Sequence, residues 1–306
     1  MKGIAHFATG LCLASFVPGV VDASADGSLL IALGGACGML PDTLDFRLAR
    51  FLPRHHADIM PGTSDAADSA RDLAHATAAQ IRLTTPGRPR NVQLHPRRHS
   101  AASWLTYSLR FEPGAPEGDV VVTVNGAEGR GWAGVAGDPY GGRYEIGQLG
   151  GPMFGFSRDP AGSLRIEFLP WHRIWSHSLL IALALGIGFG VCAGTQAGVV
   201  AALGFTGPVL EDQLGRMGSN LFWPLTRQRS MGLDLMHSGD VLPNLLTVWA
   251  ALALILFNLD RARPAPALDA LQWLLPGIVL PALVLLALAA VRRHDAQRTA
   301  APRPET

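Results

Sequence analysis

The stretch WHRIWSHSLLIALALGIGFGVC, residues 171–192, places two histidines and an arginine directly before a run of uncharged apolar residues. Such a run is typical of a helix that lies in a membrane, whose interior excludes charged side chains. Polar groups at its start either anchor the helix end at the bilayer surface or belong to a metal site. Which interpretation applies depends on what the rest of the chain contains.

The composition favours a membrane protein. Of the 306 residues, 48% are hydrophobic and only 16% are charged, and the mean hydropathy is +0.23. Soluble domains carry about 25% charged residues. The net charge of +1 gives no overall attraction to nucleic acid, so no nucleic-acid partner is predicted. Cys12, Cys37 and Cys192 lie in apolar runs without CxxC spacing, which indicates small core residues rather than a disulfide framework.

Apolar runs cover residues 3–21, 28–40, 178–210, 242–259 and 271–291. The last two approach the roughly 20 residues that a spanning helix needs. The third run is too long for one helix, and a turn near Gly194 splits it into two. The first two runs are short and rich in glycine, which is typical of packed inner helices. The pattern predicts a mainly α membrane protein with about six transmembrane or membrane-embedded helices.

The arginines predict the orientation. With six helices, both termini and the polar ends of the second, third and fourth helices share one side, which carries Arg47, Arg173 and Arg292 among others. By the positive-inside rule this side is cytoplasmic, so a multi-pass inner-membrane protein with membrane lipids as partners is predicted. A cleaved secretory signal is the alternative for the N-terminus, although His6 would interrupt its apolar region.

Residues 55–170 have a different character. Alternating runs such as SWLTYSLRFE, DVVVTVNG and SLRIEFLP, and also AQIRLT, are separated by Gly, Pro and Asn, which indicates antiparallel strands. The chain is therefore predicted to contain a transmembrane hairpin (residues 1–54), an inserted cytoplasmic β-rich domain (55–170) and a four-helix transmembrane part (171–306). The basic run RPRNVQLHPRRHS, residues 88–100, is interpreted as a solvated loop or as a contact for anionic headgroups.

Candidate metal ligands stand at the predicted helix ends. In LPDTLD, residues 40–45, Asp42 and Asp45 share one helix face, and a divalent cation would relieve their repulsion; solvated interfacial acids are the alternative. With Ser176 as the N-cap of the following helix, the rings of His172 and His177 can converge. The remaining candidates are His6 in the first apolar run, Glu211 and Asp212 after the fourth helix, and His237 and Asp240 before the fifth. All of them fall on the predicted cytoplasmic side.

These motifs resemble those of the YdjM-like family, LexA-associated inner-membrane proteins described as metal-dependent hydrolases. The family patterns are LPDxDH, HRxxTHS and GxxxHxxxDxxTxxG, and this chain has LPDTLD, HRIWSHS and GFTGPVLEDQLGRMG. The similarity covers residues 1–55 and 171–224 and leaves the β-rich insert outside. It implies that the metal-site residues are Asp42, Asp45, His172, His177 and Asp212, with His6 as an additional ligand.

The chain also departs from the family patterns. Pro208 stands where the family has a histidine four residues before the aspartate, and Phe46 stands where the second-motif histidine would be. Leu44 replaces isoleucine, while Ser176 replaces threonine and keeps the hydroxyl. These losses lower the metal affinity, move ligation to Glu211 or His237, or mark a degenerate member.

The sequence as a whole predicts a metal-dependent hydrolase at the cytoplasmic membrane surface. One or two divalent ions (Zn, Mn or Fe) would activate water against a phosphoester or lipid-linked substrate. His6 or His172 would ligate or move protons, and Arg173 would stabilise phosphate charge or simply anchor the helix. The alternatives are a catalytically degenerate membrane-anchored binding or scaffold protein and, third, an ion transporter. The chain carries no nucleotide-binding glycine loop and no GxSxG elbow.

Overall fold

The computed structural model describes residues 3–62, 65–98, 104–112, 114–115, 117–135, 143–147, 152–236 and 240–300. The chain divides into two compact units, one formed by Met1–Ala49 with Arg173–Thr306 and the other by Arg50–His172. We call them the helical unit and the β unit.

The helices, in chain order, are α1 (Gly3–Ser15), α2 (Val20–Ala25), α3 (Leu30–Arg47), α4 (Ala66–Arg82), α5 (Leu179–Ala193), α6 (Thr195–Glu211), α7 (Val241–Arg261), α8 (Ala270–Leu274) and α9 (Leu280–Ala300). Short 3₁₀ turns follow α3 at Ala49–Phe51 and α6 at Asp212–Leu214, and a π turn, Leu275–Val279, joins α8 to α9. Of the α-helices in the described residues, only α4 belongs to the β unit.

Glycines bring the backbones of α1, α3 and α6 into contact. A methyl group on Gly10 would collide with the carbonyl oxygen of Gly34, and one on Gly204 would lie 2.5 Å from that same oxygen. A carbonyl group cannot move aside as the end of a flexible side chain can, so these positions require glycine. The close packing fixes the three helices whose ends carry the candidate ligands.

The expectation of a mainly α membrane protein with about six transmembrane or membrane-embedded helices was wrong. Among the described residues, two helices are long and apolar enough to cross a membrane, Val241–Arg261 and Ala270–Leu288. The apolar helices α1 and α5 have 13 and 15 residues, so at about 1.5 Å per residue they fall short of the roughly 30 Å hydrocarbon core. The described residues also include two four-stranded sheets, so the architecture is mixed α and β.

The β unit contains those sheets. Its strands are β1 (Ala57–Ile59), β2 (Arg90–Leu94), β3 (Arg97–Arg98), β4 (Trp104–Leu105), β5 (Tyr107–Phe111), β6 (Val120–Val124), β7 (Ala127–Gly131), β8 (Tyr144–Ile146), β9 (Met153–Arg158) and β10 (Leu164–Phe168). One sheet has the order β1-β2-β9-β10, with β1 and β2 parallel, and the other has the order β7-β6-β5-β8; β3 and β4 form a separate pair.

Helix α4 packs on the second sheet where Gly129 and Gly131 leave no side chain between the two backbones. The strand expected at AQIRLT was wrong, since these residues end α4 and its buried positions Leu73, Ala74, Ala78 and Ile81 follow helical spacing. The basic run of residues 88–100 is not simply a loop, because it contains β2 and β3; residues 99 and 100 lie outside the described part.

Candidate metal centre

Four helix ends of the helical unit deliver the candidate ligands to one place. His6 lies in the first turns of α1, Asp42 near the end of α3, His177 just before α5 and Asp212 just after α6. His6, Asp42 and Asp212 each offer a ligand atom, and these atoms lie within 4.8 Å of one another. These three residues could therefore hold a metal ion.

Helix α3 continues through Pro41 to Arg47, so Asp42 and Asp45 stay on one face as their spacing predicts. Helix α5 begins two residues later than expected. Ser178, not Ser176, caps α5, since its hydroxyl oxygen accepts the N–H of Leu180 at 3.1 Å. Ser176 instead donates its hydroxyl to Asp45. The expected cap was wrong by two residues, and His177 consequently lies ahead of the helix.

The two imidazole rings point their Nε2 atoms at the same two carboxylates. Nε2 of His6 lies 3.7 Å from Oδ2 of Asp42 and 3.5 Å from Oδ1 of Asp212. Nε2 of His177 lies 3.5 Å from Oδ1 of Asp42 and 3.1 Å from Oδ2 of Asp212. The inner part of the cluster thus consists of two imidazole nitrogens and two carboxylates.

Each ring has a second carboxylate behind it, on its Nδ1 side. Nδ1 of His6 lies 3.1 Å from Oε2 of Glu211, whose other oxygen accepts the hydroxyl of Thr9. Nδ1 of His177 lies 3.2 Å from Oδ2 of Asp45, and that oxygen also accepts the backbone N–H of Arg173 at 2.9 Å. An Nδ1–H that donates to a carboxylate leaves the Nε2 lone pair for a metal. The fully buried Asp45 therefore lies behind His177 rather than among the inner groups.

Arg173 is held inside the cluster. Its Nη2 lies 2.6 Å from Oδ1 of Asp212, and the side chain is 7% exposed. The segment bends at this residue, whose φ is 58°, and its carbonyl accepts the N–H of Asn220 at 2.9 Å. In this arrangement the guanidinium neutralises Asp212, and its predicted contact with a substrate phosphate stays a prediction.

The buried charges shift the ionisation of their neighbours. Burial alone would raise the pKa of Asp212, but the facing imidazoles of His177 and His6 and the charge of Arg173 hold it well below its usual range. Burial likewise opposes charge on His177, yet its hydrogen bonds to Asp212, Asp42 and Asp45 raise its pKa to about 10. In the absence of a metal, a proton on His177 therefore occupies part of the space between the carboxylates.

The donor set suits a divalent ion. Nε2 of His6 is buried and makes no hydrogen bond within the described part of the chain, although carboxylate oxygens lie beyond it. Buried polar atoms are otherwise almost always hydrogen-bonded, so this nitrogen is well suited to ligation. Imidazole nitrogen with carboxylate oxygen fits zinc, manganese or iron.

Other predicted residues lie elsewhere. His172 belongs to the β unit, where its ring lies edge-on to Trp171 at 5.6 Å, so its predicted role as ligand or proton carrier stays a prediction. His237 lies outside the described residues. Phe46, at a position where the resemblance calls for histidine, is 47% exposed, and Pro208 is buried inside α6.

Thr9 is a contact that the sequence did not predict, whereas Glu211 was among the predicted candidate ligands. The available signal was the spacing of His6 and Thr9, which places both residues on one face of α1.

Comparisons of the chain with known protein-family models, with curated proteins and with solved structures found no match.

Proposed function

We propose that the protein is a membrane-associated, metal-dependent hydrolase that acts on a phosphoester, preferentially one attached to a lipid. The observation that carries this proposal is the convergence of His6, Asp42 and Asp212, with His177 beside them, from four separate helix ends. Buried carboxylates without a compensating cation are costly, and a divalent ion together with Arg173 supplies that compensation.

A bound divalent ion would lower the pKa of a coordinated water and polarise a phosphoryl oxygen. The chain would provide the rest. Asp42 and Asp212 would supply oxygen ligands, and His6 and His177 would supply Nε2. Asp42 is the most open of these groups, with its side chain 23% exposed against 1–2% for the other three. A substrate would therefore approach along the side of Asp42.

A membrane location is supported by the two long apolar helices. The 21 residues of α7 span about 31 Å, which matches the hydrocarbon thickness of a bilayer. In the helical unit, Met236, shortly before α7, packs with Ala5 and Leu214. These two residues are close in sequence to His6 and Asp212, so the candidate metal ligands lie near the end where α7 begins. A site at that level would meet substrates whose headgroups lie at the bilayer surface.

The arginines support a cytoplasmic position for this site. Two crossings would return the chain to the side on which α7 begins. Arg292 and Arg293 follow the second apolar helix and would therefore lie on that side. By the positive-inside rule that side is the cytoplasmic face of an inner membrane. Arg261, at the end of α7, and Arg263, just after it, run against this trend. The proposed location is therefore an inner membrane crossed twice, with both termini in the cytoplasm.

The test is elemental analysis of the full chain purified in detergent, followed by hydrolysis assays with p-nitrophenyl phosphate and with phosphatidic acid in mixed micelles. We expect near-stoichiometric zinc, manganese or iron, and at least a 100-fold loss of both metal and hydrolysis in the double variant Asp42→Ala/His177→Ala. The double variant Asp72→Ala/His75→Ala, at exposed positions of α4, is the matched control and should keep both.

If the wild type holds no metal after incubation with divalent ions, the proposal is wrong.

Pro208, buried in α6 where the resembling family carries histidine, favours a second candidate, a degenerate membrane-anchored binding protein. That candidate predicts bound metal without hydrolysis of any phosphoester. Ion transport is less favoured, because the titratable groups gather at helix ends rather than in the middle of a broken helix.

A further inference from the structure

We propose that the cluster holds two divalent ions, one on His6 and one on His177, which share the carboxylates of Asp42 and Asp212. This inference rests on the proposed metal-binding function and adds the number of ions and the charge of the substrate. It depends on which oxygen of each carboxylate faces which imidazole.

The oxygens are divided between the two rings. Asp42 turns Oδ2 toward His6 at 3.7 Å and Oδ1 toward His177 at 3.5 Å. Asp212 turns Oδ1 toward His6 at 3.5 Å and Oδ2 toward His177 at 3.1 Å. Each imidazole therefore has its own pair of carboxylate oxygens. A single central ion would not require this division, whereas two ions bridged by shared carboxylates do.

The second set of contacts repeats the same division. Glu211 lies behind the ring of His6 at 3.1 Å, and Asp45 lies behind the ring of His177 at 3.2 Å. A carboxylate behind a histidine is the usual partner of a metal ligand, because it fixes the ring and the tautomer. Both halves of the cluster thus carry the complete arrangement of a ligated histidine.

The charges favour two ions over one. Counted over the described side chains, the cluster contains four carboxylates and one guanidinium, which leaves an excess of three negative charges when both imidazoles are neutral; these groups are Asp42, Asp45, Glu211, Asp212 and Arg173. One divalent ion would leave the site with a net negative charge, which repels a phosphoester anion. Two ions leave one positive charge, which attracts such an anion. The loaded site is therefore suited to an anionic phosphoester.

The experiment is a titration of the metal-stripped full chain in detergent with Mn²⁺, followed by elemental analysis and by electron paramagnetic resonance. We expect two Mn²⁺ per chain and a spectrum in which the two spins are magnetically coupled. His6→Ala and His177→Ala should each keep one ion and lose the coupling, while His75→Ala, on the exposed face of α4, should keep two.

Saturation at one Mn²⁺ per chain would overturn this inference and leave the proposed hydrolase standing, whereas no bound Mn²⁺ would overturn both. Two ions without magnetic coupling would also contradict a shared-carboxylate site. If either histidine variant does not fold, the stoichiometry and the coupling in the wild type still decide the matter. If each folded histidine variant keeps both ions, the assignment of one histidine to each ion is wrong.

Discussion

At the scale of single residues, Asp45 and Glu211 act on the site through histidines. Asp45 binds Ser176, the N–H of Arg173 and Nδ1 of His177, and Glu211 binds Thr9 and Nδ1 of His6. The sequence predicted that Asp45 belongs to the site, because its spacing to Asp42 gives a shared helix face. It could not show which ring nitrogen Asp45 meets, since that depends on how α3 packs beside the segment before α5.

Replacing either outer carboxylate by its amide should weaken metal binding without removing it. An amide oxygen still accepts the Nδ1–H but without the charge, so Glu211→Gln and Asp45→Asn should each lower metal affinity by about 10-fold to 100-fold. Competition with a chromogenic chelator measures this. Glu117→Gln, at a side chain that is 74% exposed in the β unit, is the control. Unchanged affinity in both amide variants would show that the outer carboxylates do not orient the rings.

Metal binding should depend on pH through His177. Its pKa lies at about 10 in the metal-free protein against an ordinary value of 6.5. A metal on Nε2 must displace a proton, so affinity should rise about tenfold per pH unit as the pH increases toward about 10. Calorimetry in two buffers of different ionisation enthalpy measures the released proton. His177→Gln should bind more weakly and release fewer protons, and equal release in both proteins would contradict this assignment.

The raised pKa of His177 has the opposite effect on the stability of the metal-free protein, which should decrease as the pH rises. Because folding raises this pKa, the stabilisation is complete below pH 6.5 and is lost progressively as the pH rises to about 10. Denaturant unfolding of the metal-stripped wild type should therefore give a lower midpoint at pH 9 than at pH 6, and His177→Gln should reduce the difference. A rising midpoint would mean that His177 is neutral in the folded state.

Among the elements, the sequence patterns located the helices more completely than the strands, including the break between α5 and α6 at Gly194. The alternation in DVVVTVNG and SLRIEFLP marks β6 and β10 correctly. The same pattern misplaced a strand at AQIRLT, because a short window cannot distinguish the last turn of an amphipathic helix from an edge strand. The apolar runs of α1 and α3 were interpreted as packed inner helices because they are rich in glycine, and their glycines do lie in close contacts between helices.

Those glycine contacts should be intolerant of a single methyl group. Gly10→Ala would push a methyl group onto the carbonyl of Gly34, and overpacking of this kind costs about 1–3 kcal/mol, or more where only backbone can move. Thermal unfolding in detergent should show a lower midpoint and weaker metal binding, since α1 carries His6. The matched control is Gly188→Ala in α5, where a methyl group meets nothing within 4 Å. That substitution should stabilise the helix by about 0.5–1 kcal/mol. Equal midpoints for the two variants would contradict the packing argument.

At the scale of the whole molecule, the two long apolar helices should hold the protein in a membrane. Leu252 and Leu256 lie on the exposed side of α7, and an arginine near the centre of a spanning helix costs about 2.5–3.5 kcal/mol on insertion scales. The wild type should remain in the membrane pellet after an alkaline carbonate wash, and Leu252→Arg/Leu256→Arg should lower that fraction. Leu83→Arg, at an exposed leucine of the β unit, should not. Release of the wild type by carbonate would show that the protein is not integrated in the membrane and would contradict the proposed membrane location.

The β unit should fold without the helical unit, because its core is its own. Its buried core residues, including Leu73, Val92, Leu109 and Phe154, all lie within Arg50–His172. A fragment of residues 50–172 should therefore unfold cooperatively in urea. In that fragment Leu109→Ala, at a fully buried position of β5, should cost about 2–5 kcal/mol through the cavity it leaves. Leu83→Ala, at a position 58% exposed, should cost less than about 0.5 kcal/mol. If the fragment shows no cooperative transition, the β unit depends on the helices that hold the metal site, and the two parts must then be treated as one folding unit.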